Sequence, residues 1–195
     1  WSYSTAFARY GDEWRLSKRI LHQTFRAESA LKFRPMQIRR TRELIVNLID
    51  DPQHYHAHFA TFSSSITMSV IYDYETSARD DPQILVVVNA MEAGNVMMTP
   101  ERAMILKLFP FLLNLPDWCP GSSIKRDAQI STNFADEMAN VPFDYAKQHM
   151  ANYSISSRSS MVGEHLQRME EQDETLKPMF ETTLRNAAFT AIGGK

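Results

Sequence analysis

Tyr10-Gly11-Asp12-Glu13-Trp14-Arg15-Leu16-Ser17-Lys18-Arg19-Ile20-Leu21-His22-Gln23-Thr24-Phe25 decides how the rest of the chain is read. Asp12 follows a glycine and suits an N-cap, and Glu13 sits where the helix dipole favours an acid. No Gly or Pro intervenes before Phe25, so the stretch predicts a helix. On it Trp14 and Lys18 are one turn apart, so an indole N–H and a cation share a face. Leu21 and Phe25 continue that side as an apolar anchor, and Arg15 and Arg19 flank it. Residue types alone fit two readings: a clamp for an anion, or a basic surface helix whose Trp packs into a core.

With 195 residues and 44% apolar content, the chain can bury one sizeable core. A net charge of -2 argues against a general nucleic-acid binder. Basic residues nevertheless concentrate at the amino end, where Arg9, Arg15, Lys18, Arg19, Arg26, Lys32, Arg34, Arg39, Arg40 and Arg42 face only five acids. That end suits an anionic cofactor, an acidic partner or a solvated helix face. Cys119 is the only cysteine, which rules out an intrachain disulfide framework. The sequon Asn152-Tyr153-Ser154 is a single triplet of the kind expected by chance. No signal peptide or spanning apolar run is visible; the nearest, Ala103 to Pro116, is broken by Lys107 and Pro110. The chain starts at Trp1 and stops at Gly193-Gly194-Lys195, and is expected to be a piece of a longer protein.

Further along, helical periods dominate. Trp1 to Tyr10 reads as loop. Ser29 is a candidate cap for a second helix whose stripe is Leu44, Ile45, Leu48 and Ile49, ended by Asp51-Pro52. A third helix is expected from about His54 to Tyr72, with Tyr55, Phe59, Phe62, Ile66 and Val70 on one side. Ile84-Leu85-Val86-Val87-Val88 has the β-branched content of a strand, yet Asp81-Pro82 before it is a helix opening, and helix is the assignment. Residues 100–118 suit short helices or turns. A long helix follows Pro120-Gly121 to about Met150, kinked or split at Pro142. Beyond a Ser-rich turn at 152–160, Val162, Leu166 and Met169 predict a short helix. A last one starts near Asp173 and carries Leu176, Phe180, Leu184, Ala187, Ala188 and Ala191. No strand alternation bounded by turn signals is present, so the chain reads as all-α.

Several chemical motifs fail on spacing. His54 and His58 share a helical face, but no third ligand stands at useful spacing, and an exposed helix start explains them as well. Cys119-Pro120 has no basic neighbour before Lys125 to favour a thiolate. Gly193-Gly194-Lys195 mimics the end of a phosphate-binding loop, but Phe189 occupies the position of its required first glycine.

The amino-terminal pattern aromatic-Gly-Asp-x-Trp-Arg-x-x-basic-Arg-x-x-His-x-x-Phe resembles the C-helix signature of the cytochrome P-450 superfamily, the haem-thiolate monooxygenases. Ala187-Ala188-Phe189-Thr190-Ala191-Ile192-Gly193-Gly194-Lys195 resembles that family's I-helix motif, Ala/Gly-Gly-x-acid-Thr, stopping one residue before the acid. Between them, Pro116-Asp117-Trp118-x-Pro-Gly and Val141-Pro142-Phe143-Asp144-Tyr145-Ala146-Lys147 are similar to fungal members of the O-methylsterigmatocystin-oxidoreductase-like kind. The resemblance implies an incomplete all-α piece, helices C to I, forming a single partial domain over 1–195.

It further implies haem as cofactor of the full-length parent, with Trp14 and Lys18 at a propionate. The family usually has Arg at the second position; Lys18 keeps the charge but loses the planar fork, and Arg19 is the adjacent substitute. Gly193 and Gly194 fall at the oxygen-binding groove, with the acid-Thr pair beyond the chain end. The family's iron-binding Cys loop is absent from these residues, so no metal ligand is assigned and the piece alone is expected to be inactive. The parent would oxidise an apolar small molecule with O2 and electrons from an NADPH-dependent reductase, at the cytosolic face of the endoplasmic reticulum membrane. Residues 1–7 and 97–113 would border the substrate chamber, and 103–118 suits membrane-surface contact or core packing equally. The competing reading is a non-enzymatic all-α module that binds an apolar ligand or a partner helix.

Overall fold

The computed structural model describes residues 3–77, 81–116, 118–119, 122–152, 160–170 and 174–194. The sequon's Tyr153 and Ser154, most of the Ser-rich turn, Pro120-Gly121, Asp173 and Lys195 lie outside them, as do Trp1 and Asp117. Among the described residues the regular structure is entirely helical, as expected. The α-helices are α1 (Asp12–Phe25), α2 (Ala27–Ala30), α3 (Arg34–Asp50), α4 (Tyr55–Tyr72), α5 (Pro82–Met97), α6 (Pro100–Leu108), α7 (Ser123–Asn152), α8 (Met161–Glu170) and α9 (Lys177–Gly193), with 3-10 turns at Leu31–Phe33, Pro52–His54 and Pro110–Asn114.

Helix α9 is the hub: it packs on α1, α4, α7 and α8, while α5 lies along α7. Small residues make this possible. Ala135, Ala139 and Ala146 on α7 and Ala187 and Ala188 on α9 are fully buried, so backbones approach closely around Phe143, Met138, Leu184 and Ile192. Burying a side chain the size of Phe143 stabilises the fold by about 1.5–3 kcal/mol. The Arg185 guanidinium lies over the Phe143 ring, 5.0 Å from its centre, which lets α9 bring a cation next to this core.

Local chemistry explains most boundaries. Asp81 caps α5 by accepting from the N–H groups of Gln83 and Ile84 at 3.0 and 3.1 Å, with Pro82 in the first turn where its missing N–H costs nothing. The β-branched run 84–88 therefore goes helical, as assigned. Thr99 opens α6 similarly, accepting from the Arg102 N–H. At the start of α8, Ser160 Oγ accepts from the Gly163 N–H at 3.1 Å, and a Cβ on Gly163 would stand 2.9 Å from that hydroxyl. Ser160→Ala should lower stability by about 1 kcal/mol, read as a fall in the urea midpoint at unchanged slope.

Five expectations need correction. Gly11, not Asp12, is the N-cap of α1; Asp12 is helical and pairs with Arg15 instead. Ser29 lies inside α2 and caps nothing, because its hydroxyl donates back to the Gln23 carbonyl at 3.0 Å. On α3 and α4 the predicted stripes are buried only in part: Leu44 and Val70 are buried and Leu48, Phe62 and Ile66 half-buried. Ile45, Ile49, Tyr55 and Phe59 are exposed, whereas His58, Ser64 and Ser65 are buried. Helix α7 is continuous through Pro142, so it is not split there. Finally, α9 begins at Lys177, with Pro178 in its first turn, so Leu176 is its cap and is exposed.

Candidate functional site

The amino-terminal loop and helices α1 and α9 meet at two recesses on either side of one contact. The larger is a cleft of about 530 Å³, lined from α1 and its end by Lys18, Leu21, His22, Phe25 and Arg26, and from α9 by Thr190, Ala191 and Gly194. It falls within the roughly 300–1,000 Å³ span of small-molecule sites. Leu21, Phe25 and Ala191 give it an apolar part, three nitrogen-bearing side chains stand along α1 and its end, and no carboxylate is among these lining residues. The smaller recess, about 20 Å³, is walled by Tyr3, Thr5, Trp14, Ser17, Thr183 and Asn186, among others.

The helical period brings Lys18, Leu21, His22 and Phe25 to one side, since residues three and four apart lie above one another. The Lys18 ammonium sits 5.9 Å from the centre of the Trp14 ring, at the outer limit of a cation–π contact. Trp14 itself is half-buried, tilted at 51° to the Tyr10 ring with the ring centres 5.2 Å apart, and faces the smaller recess. Arg15 is turned away to Asp12, and the Asp12 carboxylate and Tyr10 hold its guanidinium pKa above the ordinary value. Arg19 is exposed and lines neither recess. The two sequence candidates for a cation are thus separated: Lys18 is on the cleft and Arg19 is off it.

At the end of α9, Gly194 borders the cleft and Gly193 is the last helical residue. An added Cβ on Gly194 would stand 3.3 Å from the Thr190 carbonyl oxygen, whereas the space beside Gly193 is open. Bare backbone is therefore what α9 offers at this point.

The far end of α1 is braced by α8. Arg168 donates to Gln23 Oε1 at 3.1 Å, Lys32 pairs with Glu164, and buried His165 contacts the same Gln23 oxygen at 3.3 Å. Burial pushes the His165 imidazole below its ordinary pKa.

His54 and His58 are both spent on one residue. His54 Nδ1 lies 2.8 Å from Asp51 Oδ1, and His58 Nε2 donates to the Asp51 carbonyl at 2.8 Å. Among the described residues no group of three His, Cys, Asp or Glu side chains is placed to hold a metal ion. Cys119 is half-buried and does not line the cleft.

Sequence reasoning missed a cluster of hydroxyls. The Thr5 N–H donates to Thr190 Oγ1 at 2.8 Å, and Thr5 Oγ1 is 2.6 Å from Ser17 Oγ. Nothing in a run of Ser and Thr separates such a cluster from a solvated loop, because the partners are 185 residues apart.

Among the described residues the regular structure is helical, and the cleft joins three nitrogen-bearing side chains at α1 to Thr190, Ala191 and Gly194 of α9. The chain belongs to the cytochrome P450 family, whose model matches residues 2–194. It is 29% identical over 195 residues to tryptamine 4-monooxygenase of Psilocybe cyanescens, covering 100% of this chain and 37% of that protein. Cytochrome P450 monooxygenase 98 of Postia placenta is 27% identical, with 100% and 36% covered. Cytochrome P450 monooxygenase COX2 of Coprinopsis cinerea is 26% identical, with 98% and 36% covered. The chain thus spans little more than a third of the length of these curated relatives. No solved structure matches it significantly.

The family is a haem-thiolate family, and the lining of the cleft fits part of such a group. Leu21, Phe25 and Ala191 would suit the macrocycle, Lys18 would suit a carboxylate arm, and Gly194 adds no side chain there. Neither Trp14 nor Arg19 is among the residues that line the cleft.

Proposed function

We propose that residues 1–195 are the central helical part, one partial domain, of a haem-dependent monooxygenase that oxidises an apolar small molecule with O2 and electrons from a reductase. The observation that carries this reading is the cleft itself, with the Lys18 cation on one wall and the bare backbone of Gly194 on the other. Family membership and three relatives named as monooxygenases support it. The haem, when bound, supplies the redox chemistry. Lys18 would hold the propionate edge, with the Trp14 ring 5.9 Å from its ammonium. Gly194, which borders the cleft, and its neighbour Gly193 would keep side chains away from the place where O2 and substrate approach. Leu21, Phe25 and Ala191 would shield the macrocycle from water, which would strengthen the polar contact made by Lys18.

The exposed side chains of Met104, Leu108, Phe109, Phe111 and Trp118 form an apolar surface that rests on the cytosolic face of the endoplasmic reticulum membrane. No helix among the described residues is long and apolar enough to cross a membrane.

The test is the difference spectrum of the full-length protein, reduced and exposed to carbon monoxide. A haem-thiolate Soret band is the expected result. Protein that purifies folded, takes up no haem and binds an apolar fluorescent probe in its place would sink the monooxygenase reading in favour of a binding module.

A further inference from the structure

His165 is buried, at 3% exposure, and both of its ring nitrogens face oxygen. Nδ1 lies 2.9 Å from the Met161 carbonyl within α8, and Nε2 lies 3.3 Å from Gln23 Oε1 on α1. A neutral imidazole has one N–H and one lone pair, so it donates to only one of two oxygens. The Met161 carbonyl belongs to the helix and cannot turn, which fixes the first proton on Nδ1. The Nε2 lone pair is then left against the Gln23 oxygen.

Two arrangements remove that conflict. With a second proton, on Nε2, His165 donates to both oxygens, and Gln23 Oε1 accepts from Arg168 Nη1 at 3.1 Å as well. Without that proton the Gln23 amide turns over, its NH2 group donates to Nε2, and Arg168 loses the oxygen. The Arg168–Gln23 bond is exposed, so the released guanidinium finds water, whereas His165 is buried and an unmet ring nitrogen costs more. The neutral ring therefore takes the amide, and the charged ring gives it back.

The surroundings decide when the change occurs. Burial first, with Arg168 and Lys32, holds the imidazole below its ordinary pKa of 6.5, while the Met161 carbonyl and Glu164 act the other way. Arg168 and Glu164 stand on α8 itself and Lys32 on the Leu31–Phe33 turn; of α4, α7 and α9, which also pack on α8, none brings a charge that acts on the ring, among the described residues. The ring is thus neutral at neutral pH. His165 supports the fold there and costs stability as pH falls below the ordinary value, because the unfolded chain takes the proton more readily.

We propose that the contact between α1 and α8 is a two-state acid switch: the Gln23 amide turns over when His165 gains its second proton, and the turn decides whether Arg168 is held to α1. Gln23 follows His22 and precedes Phe25 and Arg26, three residues that line the cleft. Acid therefore tightens the end of a cleft wall. The switch does not depend on what occupies the cleft.

The experiment uses the full-length protein with isotope-labelled histidine and glutamine side chains, titrated by NMR over roughly pH 5–8. The two signals are identified by their loss in His165→Gln and in Gln23→Met. Neutral His165 should carry its proton on Nδ1, and the Gln23 amide signals should move with the midpoint of His165. A proton on Nε2 in the neutral ring, a Gln23 amide that ignores the titration, or a ring that stays neutral until the protein unfolds overturns the proposal.

Gln23→Glu presents an oxygen whichever way it turns and should raise the midpoint by about one pH unit or more. Gln23→Met presents neither donor nor acceptor and should lower it, since a bond to the charged ring is the stronger one lost. A midpoint unmoved in Gln23→Met overturns the switch even where Gln23→Glu fails to fold. Amide exchange over residues 22–26, corrected for its intrinsic pH dependence, should slow by about fivefold below the wild-type midpoint, the scale of one added hydrogen bond, and should not slow in Gln23→Met. Equal corrected rates on both sides of the wild-type midpoint mean that the turn does not hold α1, and overturn the proposal as well.

Discussion

Asp81→Ala should cost about 3–4 kcal/mol, enough to lower the melting temperature by roughly 6–15 °C in a chain of this size. The carboxylate is 2% exposed and accepts from four groups: the Gln83 and Ile84 N–H groups at the start of α5, the Ser77 N–H at 2.8 Å, and the Tyr74 hydroxyl at 3.0 Å. Loss of a cap alone is worth about 0.5–2 kcal/mol, and each buried donor left without an acceptor adds about 1–3 kcal/mol, less where water can reach it. Asp81→Asn retains a cap oxygen but turns an amide toward donors, and should fall between wild type and alanine. Calorimetry of the three proteins checks the order. An alanine variant within 1 kcal/mol of wild type would mean that water replaces the carboxylate.

The same contact sets a pH dependence. Burial first, and the hydrogen bond to Asp81 second, push the Tyr74 phenol from the ordinary 10.0 up to about 12. The neutral phenol is the form that donates, so its contribution is complete below about pH 10 and fades as pH rises toward about 12. Without Asp81 the phenol should ionise earlier. Absorbance titration at alkaline pH reads this directly, and an unshifted Tyr74 transition in Asp81→Ala would assign the whole effect to burial.

The readable parts of this fold are those whose cause is local. Pro82 after Asp81 carries its own capping chemistry, and that chemistry outvotes the β-branched run that follows. Helix α1 is legible for the same reason, although its cap is one residue earlier than the acid suggests. The faces of α3 and α4 are legible only in part, with Leu44 and Val70 buried as the stripes imply, because the rule that apolar residues mark the buried side assumes every buried position is apolar. Ser65 is buried at 3% by donating to the Phe62 carbonyl at 2.8 Å, and His58 by donating to Asp51. A hydroxyl or imidazole that satisfies itself locally buries at little cost, and its small size lets helices approach. Ile45, Ile49 and Phe59 are left outside as a result.

The site divides along the same line. That Trp14 and Lys18 share a turn follows from helical spacing. That Lys18 shares a cleft with Gly194, and that Arg19 does not, depends on how α9 docks on α1. Neighbouring positions on a helix point about 100° apart, so one of two adjacent cations was bound to be turned away, and only the docking says which.

That docking makes Lys18→Gln the variant with the largest expected effect on cofactor retention. In the full-length protein it should weaken haem binding by about tenfold, because a hydrogen bond to a charged group is worth about 1.5–3 kcal/mol and this one stands at an exposed rim, where solvent holds it to the low end. Arg19→Gln should change affinity by less than about twofold, as surface charges off a site do. Lys18→Arg should bind at least as tightly as wild type, since the guanidinium adds a planar fork without losing charge. Raising the salt concentration should narrow the gap between wild type and Lys18→Gln, because an exposed ion pair is screened. Haem transfer to an excess of an apo-haem-protein acceptor measures all four. If Arg19→Gln loses haem and Lys18→Gln does not, the propionate lies on the other side of α1 from the cleft, and the assignment of Lys18 to it is wrong.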